Sequence, residues 1–295
     1  MGPVATTRHR PPQEAIPMPG KKPSADKAYE NLAFLNSSDA RSLRILAEYL
    51  EPASRFARHR VEDTIVFMGS ARIRSRAEAE AALARARAGD GNVGEAEAAL
   101  RMSAYYEDAR TLAFRLTQWS KALGEGERRF VVCTGGGPGI MEAANRGASE
   151  ARGINLGLGI SLPREQHDNP YITRELALHF HYFFMRKFWF AYLAKALVVF
   201  PGGFGTLDEM SELLTLTQTQ KLHKKLVTVF YGTSFWKEVI NFDALVKHGM
   251  ISESDLGLFQ FADDVDSAYN ILTQGLTDLY LGKEGQAPDI PHVVD

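Results

Sequence analysis

Six short apolar runs set the strongest constraint on the fold of this chain. They are apolar at successive positions rather than at alternating ones, which is typical of strands buried on both faces. Each run ends in glycine or a polar turn and is followed by a stretch with helical spacing, so the pattern predicts a parallel α/β sheet. The runs are TIVFM (64–68), FVVCT (130–134), NLGLGI (155–160), ALHFHY (177–182), ALVVF (196–200) and LVTVF (226–230).

The segments between and after these runs fit helices around the sheet. The Ala/Glu/Arg-rich region 75–123 predicts two helices separated at GDGNVG (89–94), and 235–251 predicts one helix. FQFADD (259–264) predicts a short final strand or turn, and VDSAYNILTQGL (265–276) a closing helix. We therefore expect a Rossmann-like doubly wound parallel sheet of about six to seven strands with helices on both faces.

Four segments follow from these patterns. Residues 1–26 are rich in proline and hold no apolar run, so we expect a disordered tail without the core of a signal peptide. Residues 27–60 predict a helical extension that breaks near Pro52, and 61–280 one Rossmann-like domain. We expect a loose C-terminal tail at 281–295.

Composition narrows the class of partner. The 34 basic and 36 acidic side chains give a net charge of −2, which argues against nucleic acid as the main partner. Cys133 is the only cysteine, so no intrachain disulfide can form, and a reducing cytoplasm fits. Arg186, Lys187 and Lys195 interrupt the aromatic segment 179–200, so it is too polar to span a membrane.

Three glycine-rich loops follow predicted strands: FMGSAR (67–72), CTGGGPGIMEAAN (133–145) and VFPGGFGTLDEM (199–210). Such loops let the backbone approach a ligand, and the following helix start favours an anion such as phosphate. One loop alone could be a plain tight turn. The dinucleotide fingerprint fails, because Ile140 replaces its third glycine and Asn155 its acidic ribose ligand. A mononucleotide or sugar phosphate is the best candidate.

Two charged side chains near these loops invite a functional interpretation. Thr206 and Glu209 have the spacing of a capping box, so Glu209 could serve only to cap its own helix. Its place on the helical wheel borders the apolar stripe, while that of Asp208 faces solvent. Arg186 shares an apolar helix face with Trp189. Unless its guanidinium reaches solvent, it requires an anionic partner, which could be an acidic side chain in a structural ion pair or a ligand.

The motifs GGGPGIMEAAN (135–145), MRK (185–187) and PGGFGTLDE (201–209) resemble the LONELY GUY (LOG) family of nucleoside 5'-monophosphate phosphoribohydrolases. The resemblance covers roughly 61–280. The N-terminal helical region and LPREQHDNPYIT (162–173) resemble the longer bacterial type, whose members are often mislabelled lysine decarboxylases.

This resemblance implies a hydrolase that cleaves AMP or a cytokinin riboside 5'-monophosphate to free base and ribose 5-phosphate. The catalytic residues of the family fall on Arg186 and Glu209. Water is the nucleophile, so the resemblance implies neither a metal ion nor an organic cofactor. It also implies a homodimer or higher homo-oligomer with sites near the subunit interface. The implied substrate-binding residues are Ser70, Gly136, Gly137, Met185, Lys187, Gly202, Gly203, Gly205 and Thr206.

Rival functions stay open at this point. Related folds include molybdenum-cofactor carriers and nucleotide sensors, which bind without turnover, but retention of Arg186 and Glu209 favours an enzyme. A DNA-processing relative would need a basic surface that the sequence does not show. The failed fingerprint makes a dehydrogenase the least favoured interpretation.

Overall fold

Seven parallel strands form one sheet in the computed structural model, which describes residues 27–124, 128–161 and 169–282. The order is β4-β3-β2-β1-β5-β6-β7, so the direction of winding reverses between β1 and β5. The doubly wound α/β prediction is confirmed. The strands are β1 (Thr64–Met68), β2 (Val131–Thr134), β3 (Asn155–Ile160), β4 (Ala177–Phe180), β5 (Ala194–Val199), β6 (Val227–Tyr231) and β7 (Gln260–Ala262).

Helices cover both faces of this sheet. The two helices expected between β1 and β2 are present, and the closing helix occupies the expected residues. The helices are α1 (Leu32–Leu35), α2 (Arg41–Arg58), α3 (Arg76–Arg87), α4 (Val93–Ala122), α5 (Ile140–Glu150), α6 (Phe183–Leu193), α7 (Phe204–Gln218), α8 (Thr233–Val239), α9 (Phe242–Lys247) and α10 (Val265–Leu276). Short segments of 3₁₀ or π helix occur at Ala28–Glu30, Arg174–Leu176, Glu253–Leu258 and Thr277–Leu281.

The central strands are buried on both sides, as their unbroken apolar runs predicted. In β1, Ile65 and Phe67 enter the core beneath α4, α5 and α10, and Val66 and Met68 enter the core beneath α6, α7 and α8. Strand β4 alternates between exposed and buried positions instead, because it lies at the edge of the sheet.

The expected break of the N-terminal helix near Pro52 is wrong, since α2 runs from Arg41 to Arg58 with Pro52 inside it. Proline supplies no N–H for the carbonyl four residues earlier, which is that of Glu48. The indole Nε1 of Trp189 donates to this carbonyl at 2.9 Å. A side chain of α6 therefore replaces the missing helical hydrogen bond.

The single helix expected over 235–251 is also wrong. The segment forms α8 and α9, with Ile240 in an extended conformation between them. The Asn241 side chain accepts the N–H of Ala244 at 2.9 Å and caps α9. Asparagine favours such a cap because its side chain satisfies a free donor of the first turn.

The chain divides into two compact units between Arg44 and Ile45, within the predicted extension 27–60. In the first unit, Arg44 donates from Nη1 to the carbonyls of Leu35 and Ser37, at 2.7 and 2.6 Å. The second unit contains the sheet. The tail predicted at 1–26, and nearly all of that at 281–295, lies outside the described residues, and the predicted boundaries at 60 and 280 stay predictions.

No helix within residues 27–124, 128–161 and 169–282 is both long and apolar enough to cross a membrane.

Candidate functional site

The structure brings the three glycine-rich loops together at the carboxyl edge of the sheet. The N–H of Ser70, after β1, donates to the carbonyl of Pro201, after β5, at 2.9 Å. The N–H of Ile140, which begins α5, donates to the carbonyl of Ser70 at 3.1 Å. Because β1 and β5 flank the reversal of strand order, the loops border the crevice in which open α/β sheets bind ligands.

Two glycines of the second loop depend on having no Cβ. Gly139 has a φ of 71°, and a Cβ there would lie 2.3 Å from the carbonyl oxygen of Ser70. Gly136 has a φ of 73°, and its N–H already donates to Oγ1 of Thr134 at 2.9 Å. In this geometry Gly136 contributes loop shape and close approach, and its own N–H is not free for a phosphate.

The third loop leads directly into α7. Gly203 is the N-cap residue, Gly203 and Gly205 are exposed, and Thr206 is buried in the first turn. The first N–H groups of a helix have no partner within the helix, and the helix dipole adds positive potential there. With Gly202 just before the cap, these four of the implied substrate-binding residues surround an exposed helix start.

Glu209 forms an ion pair with Arg186, in which Arg186 Nη2 donates to Oε1 of Glu209. The pair joins α7 to α6, and the two side chains are only 14% and 11% exposed. The capping-box alternative for Glu209 is wrong, because α7 begins at Phe204 with Gly203 as its cap and Glu209 lies in the second turn.

Aromatic rings surround the guanidinium of Arg186. Its Cζ lies 5.4 Å from the ring centroid of Phe183 and 5.6 Å from that of Phe190. Both rings are therefore within the range of cation–π attraction. The Nε of Arg186 is buried and makes no hydrogen bond within the described part of the chain. A buried donor without a partner is rare, so this atom is a candidate contact for a ligand.

Two opposed effects act on the carboxyl of Glu209. Burial raises its pKa above the ordinary value, and the guanidinium of Arg186 opposes that rise without cancelling it. Nearby, burial and then the charge of Glu209 raise the pKa of the Cys133 thiol. Cys133 therefore stays a protonated, unreactive core side chain.

Lys187 follows Arg186 on α6 but has carboxylate partners of its own. Its Nζ lies 2.8 Å from Asp208 and 3.2 Å from Glu212, both on α7. Burial lowers the pKa of Lys187, but these two carboxylates outweigh it and the net shift is upward. Met185, one of the implied substrate-binding residues, is buried in the core beneath α6.

A residue far away in sequence holds the start of α6. The carboxylate of Glu48 accepts the N–H of His181 at 2.7 Å and that of Tyr182, the N-cap residue, at 3.2 Å. This contact satisfies free donors at the start of the helix that carries Arg186. Sequence reasoning missed Glu48, because no local spacing signals a cap that another helix supplies.

Within residues 27–124, 128–161 and 169–282, no three or more histidine, cysteine, aspartate or glutamate side chains are arranged to hold a metal ion.

The fold and these loops define a Rossmann-like α/β protein with a candidate anion site at its switch point. A family model described as possible lysine decarboxylase matches residues 141–272, which include Arg186 and Glu209. A curated relative, the probable cytokinin riboside 5'-monophosphate phosphoribohydrolase LOG4 of Oryza sativa subsp. japonica, is 28% identical over 101 residues. The match spans 34% of this chain and 44% of the relative. Both matches agree with the resemblance of the sequence motifs to the LOG family.

Solved structures similar to this chain are more distant. The structural-genomics target TM1055 is 20% identical, with 72% of this chain and 99% of that chain covered and a TM-score of 0.43. The molybdenum cofactor binding protein of Rippkaea orientalis is 19% identical, with 57% and 87% covered and a TM-score of 0.36. The Moco carrier protein of Chlamydomonas reinhardtii is 23% identical, with 59% and 90% covered and a TM-score of 0.38.

Proposed function

We propose that this protein hydrolyses the N-glycosidic bond of a nucleoside 5'-monophosphate, AMP or a cytokinin riboside 5'-monophosphate, to free base and ribose 5-phosphate. The observation that carries the proposal is the buried ion pair of Arg186 and Glu209 beside three converging glycine loops. The similarity to a rice protein named as a probable cytokinin riboside 5'-monophosphate phosphoribohydrolase supports this substrate class.

The phosphate of the substrate binds at the exposed start of α7. Backbone N–H groups of Gly203, Gly205 and Thr206 donate to its oxygens, and the helix dipole stabilises its negative charge. Gly137 and Ser70 border the same crevice from the neighbouring loops. Backbone donors are already oriented, so binding does not require a cluster of lysines and arginines.

Glu209 acts at the glycosidic carbon. As the C1'–N bond breaks, positive charge develops on C1' and the ring oxygen, and a carboxylate in a buried site stabilises it strongly. The attacking water forms the new C1'–O bond and gives its proton to Glu209, while the C1'–N bond breaks and the departing base takes a proton from solvent at the released nitrogen. Arg186 holds the carboxylate in place, and its Nε offers a donor to the leaving base.

The assembly and setting are part of the proposal. Phe183 and Phe184 at the start of α6 are 50% and 51% exposed. Large apolar side chains exposed side by side fit a homo-oligomer that covers them close to the site. We expect a homodimer, measurable by light scattering coupled to gel filtration. Cytoplasmic location and a role in cytokinin activation stay predictions.

The test is release of free base by the purified protein from AMP, GMP, CMP, UMP and isopentenyladenosine monophosphate, followed by chromatography. We expect Glu209→Gln and Arg186→Ala each to lower kcat/KM at least about 100-fold, or about 2.7 kcal/mol of transition-state stabilisation. The matched control is Glu238→Gln, which removes an exposed carboxylate on α8 and should leave the rate unchanged.

The rival function is a carrier or sensor that binds a nucleotide or a molybdenum cofactor without turnover. Tight binding of AMP, or of a molybdopterin, with no base released from any of the five substrates would contradict the hydrolase proposal. Equal rates for wild type and Glu209→Gln would contradict the role of Glu209.

A further inference from the structure

Three fully buried polar side chains lie beneath the second glycine loop. Thr134 ends β2, Asn145 lies on α5, and Asn155 begins β3. Oγ1 of Thr134 donates to Oδ1 of Asn145 at 2.6 Å, and Nδ2 of Asn145 donates to Oδ1 of Asn155 at 2.8 Å. Buried polar groups are costly without partners, so this satisfied chain of hydrogen bonds admits few alternative geometries.

The hydroxyl of Thr134 connects this chain to the loop above it. A hydroxyl has one hydrogen, and here that hydrogen points to Asn145. Its lone pairs are therefore directed away from Asn145, and one accepts the N–H of Gly136 at 2.9 Å. Within the described structure, no direct hydrogen bond joins Asn145 to Gly136. Asn145 thus influences the orientation of the first peptide in the loop through Thr134.

Asn145 also connects the loop to the segment that precedes β4. Nδ2 of Asn169 donates to Oδ1 of Asn145 at 3.0 Å, and Nδ2 of Asn155 donates to the carbonyl of Tyr171 at 3.0 Å. Asn145 further donates to the carbonyl of Leu156 in β3 at 3.1 Å. Four separate segments of chain therefore meet at one amide side chain.

We propose that Thr134 and Asn145 are positioning residues for the second glycine loop, residues 135–139, whose Gly137 N–H assists the backbone N–H groups at the start of α7 in binding the phosphate. They hold the Gly136 peptide in one orientation. This orientation directs the N–H of the next residue, Gly137, and the start of α5 toward the crevice. Neither side chain touches the substrate. The identity of the ligand in this inference rests on the proposed function. The shape of the loop does not, because it follows from the hydrogen bonds described above.

The binding test uses Glu209→Gln as the parent protein, so that substrate persists during calorimetry. Thr134→Val removes the hydroxyl with little change of shape, and the matched control Thr134→Ser retains it. The ligands are AMP and adenosine, which differ only by the phosphate. We expect Thr134→Val to weaken AMP at least about tenfold and adenosine less than about twofold, and Thr134→Ser to stay within about threefold for both.

Equal loss of AMP and adenosine binding would mean a general structural role and would overturn the proposal, as would no loss of either. If the parent protein binds AMP no more tightly than adenosine, the substrate class is wrong. That result appears before any substitution in the loop and is therefore distinct from failure of the positioning role.

A second readout needs no ligand. Amide hydrogen exchange at Gly136 should accelerate at least about tenfold in Thr134→Val and in Asn145→Leu, while exchange in β1 stays unchanged. Thr134→Ser should exchange like the parent protein. Unchanged amide exchange at Gly136 in Thr134→Val would overturn the proposal, whatever ligand the protein binds. If Asn145→Leu fails to fold, Thr134→Val alone still tests the proposal.

Discussion

Glu209 illustrates how one side chain acquires catalytic capacity from its surroundings. Burial raises the pKa of its carboxyl, while Arg186 keeps that rise limited by favouring the ionised form. A general base works best when its pKa approaches the working pH, so a raised value makes this carboxylate more basic than an exposed one. The ion pair and the burial therefore have to be considered together.

The pH dependence of the proposed reaction follows from this arrangement. Glu209 must be ionised to act, so kcat/KM should fall as the pH drops through the pKa of Glu209 in the free enzyme. Because that pKa is raised, the fall should lie above the ordinary value of 4.5. Arg186→Gln removes the guanidinium that opposes the rise, so the acid limb of its residual activity should move to still higher pH.

The measurement is kcat/KM from pH 4 to 9 for wild type and Arg186→Gln, at constant ionic strength. An acid limb at or below the ordinary carboxyl value, or a limb that moves to lower pH in Arg186→Gln, would contradict this account of Glu209.

At the scale of elements, α2 and α6 depend on each other. The carboxylate of Glu48 caps α6, and the main-chain carbonyl of the same residue, left free by Pro52, accepts the indole N–H of Trp189. Helix α6 carries Arg186, so the helix that precedes the sheet contributes to the geometry of the candidate site.

The coupling free energy between Pro52 and Trp189 can be measured by a double-mutant cycle. Trp189→Phe leaves the Glu48 carbonyl without a donor, which should lower the free energy of unfolding by about 1–3 kcal/mol beyond the lost ring contacts. In a Pro52→Ala background residue 52 has an N–H for that carbonyl, so Trp189→Phe should cost less.

Urea unfolding of the four proteins gives the coupling free energy. Strict additivity of the two substitutions would show that the indole does not replace the helical hydrogen bond.

At the scale of the whole molecule, the two edges of the sheet hold different chemistry. The carboxyl edge holds the glycine loops, while a cluster of buried charges lies at the amino edge. Asp63, just before β1, accepts from Arg129 Nε at 2.7 Å and from the N–H of Phe130. Lys195, at the start of β5, is buried beside them, and Nζ of Lys224 donates to the carbonyl of Tyr192.

Lys224 should make stability depend on pH. Burial, and then the charge of Lys195, lower its pKa from 10.5 to about 7. Between these values the unfolded chain binds a proton that the folded chain does not, so the contribution of Lys224 to stability rises with pH. Relative to Lys224→Met, the wild type should therefore gain stability between pH 7.5 and 9.5.

Urea unfolding of both proteins across this range measures the difference, and Lys221→Met, which removes an exposed lysine, is the matched control. A constant difference between wild type and Lys224→Met would contradict the lowered pKa.

Much of this architecture is readable from local pattern. The doubly buried strands appear as unbroken apolar runs, since both faces of a central parallel strand meet core. Arg186 and Glu209 both lie in motifs that the sequence shows directly. Arg186 is also a candidate because a guanidinium on an apolar face requires an anion. The glycine loops were expected at one edge, because parallel strands end on the same side.

Tertiary structure decided what depends on partners distant in the chain. From the sequence, Glu209 could be either a helix cap or a functional side chain. Its ion pair with Arg186 on α6 favours the functional role. The sequence predicts a break of the helix near Pro52, but an indole from α6 satisfies the carbonyl that the proline leaves free. Local pattern in the sequence predicts the buried strands and the glycine loops, because the apolar period and the glycines act locally. Only the fold determined which buried donor meets which acceptor, because those hydrogen bonds join residues far apart in the chain.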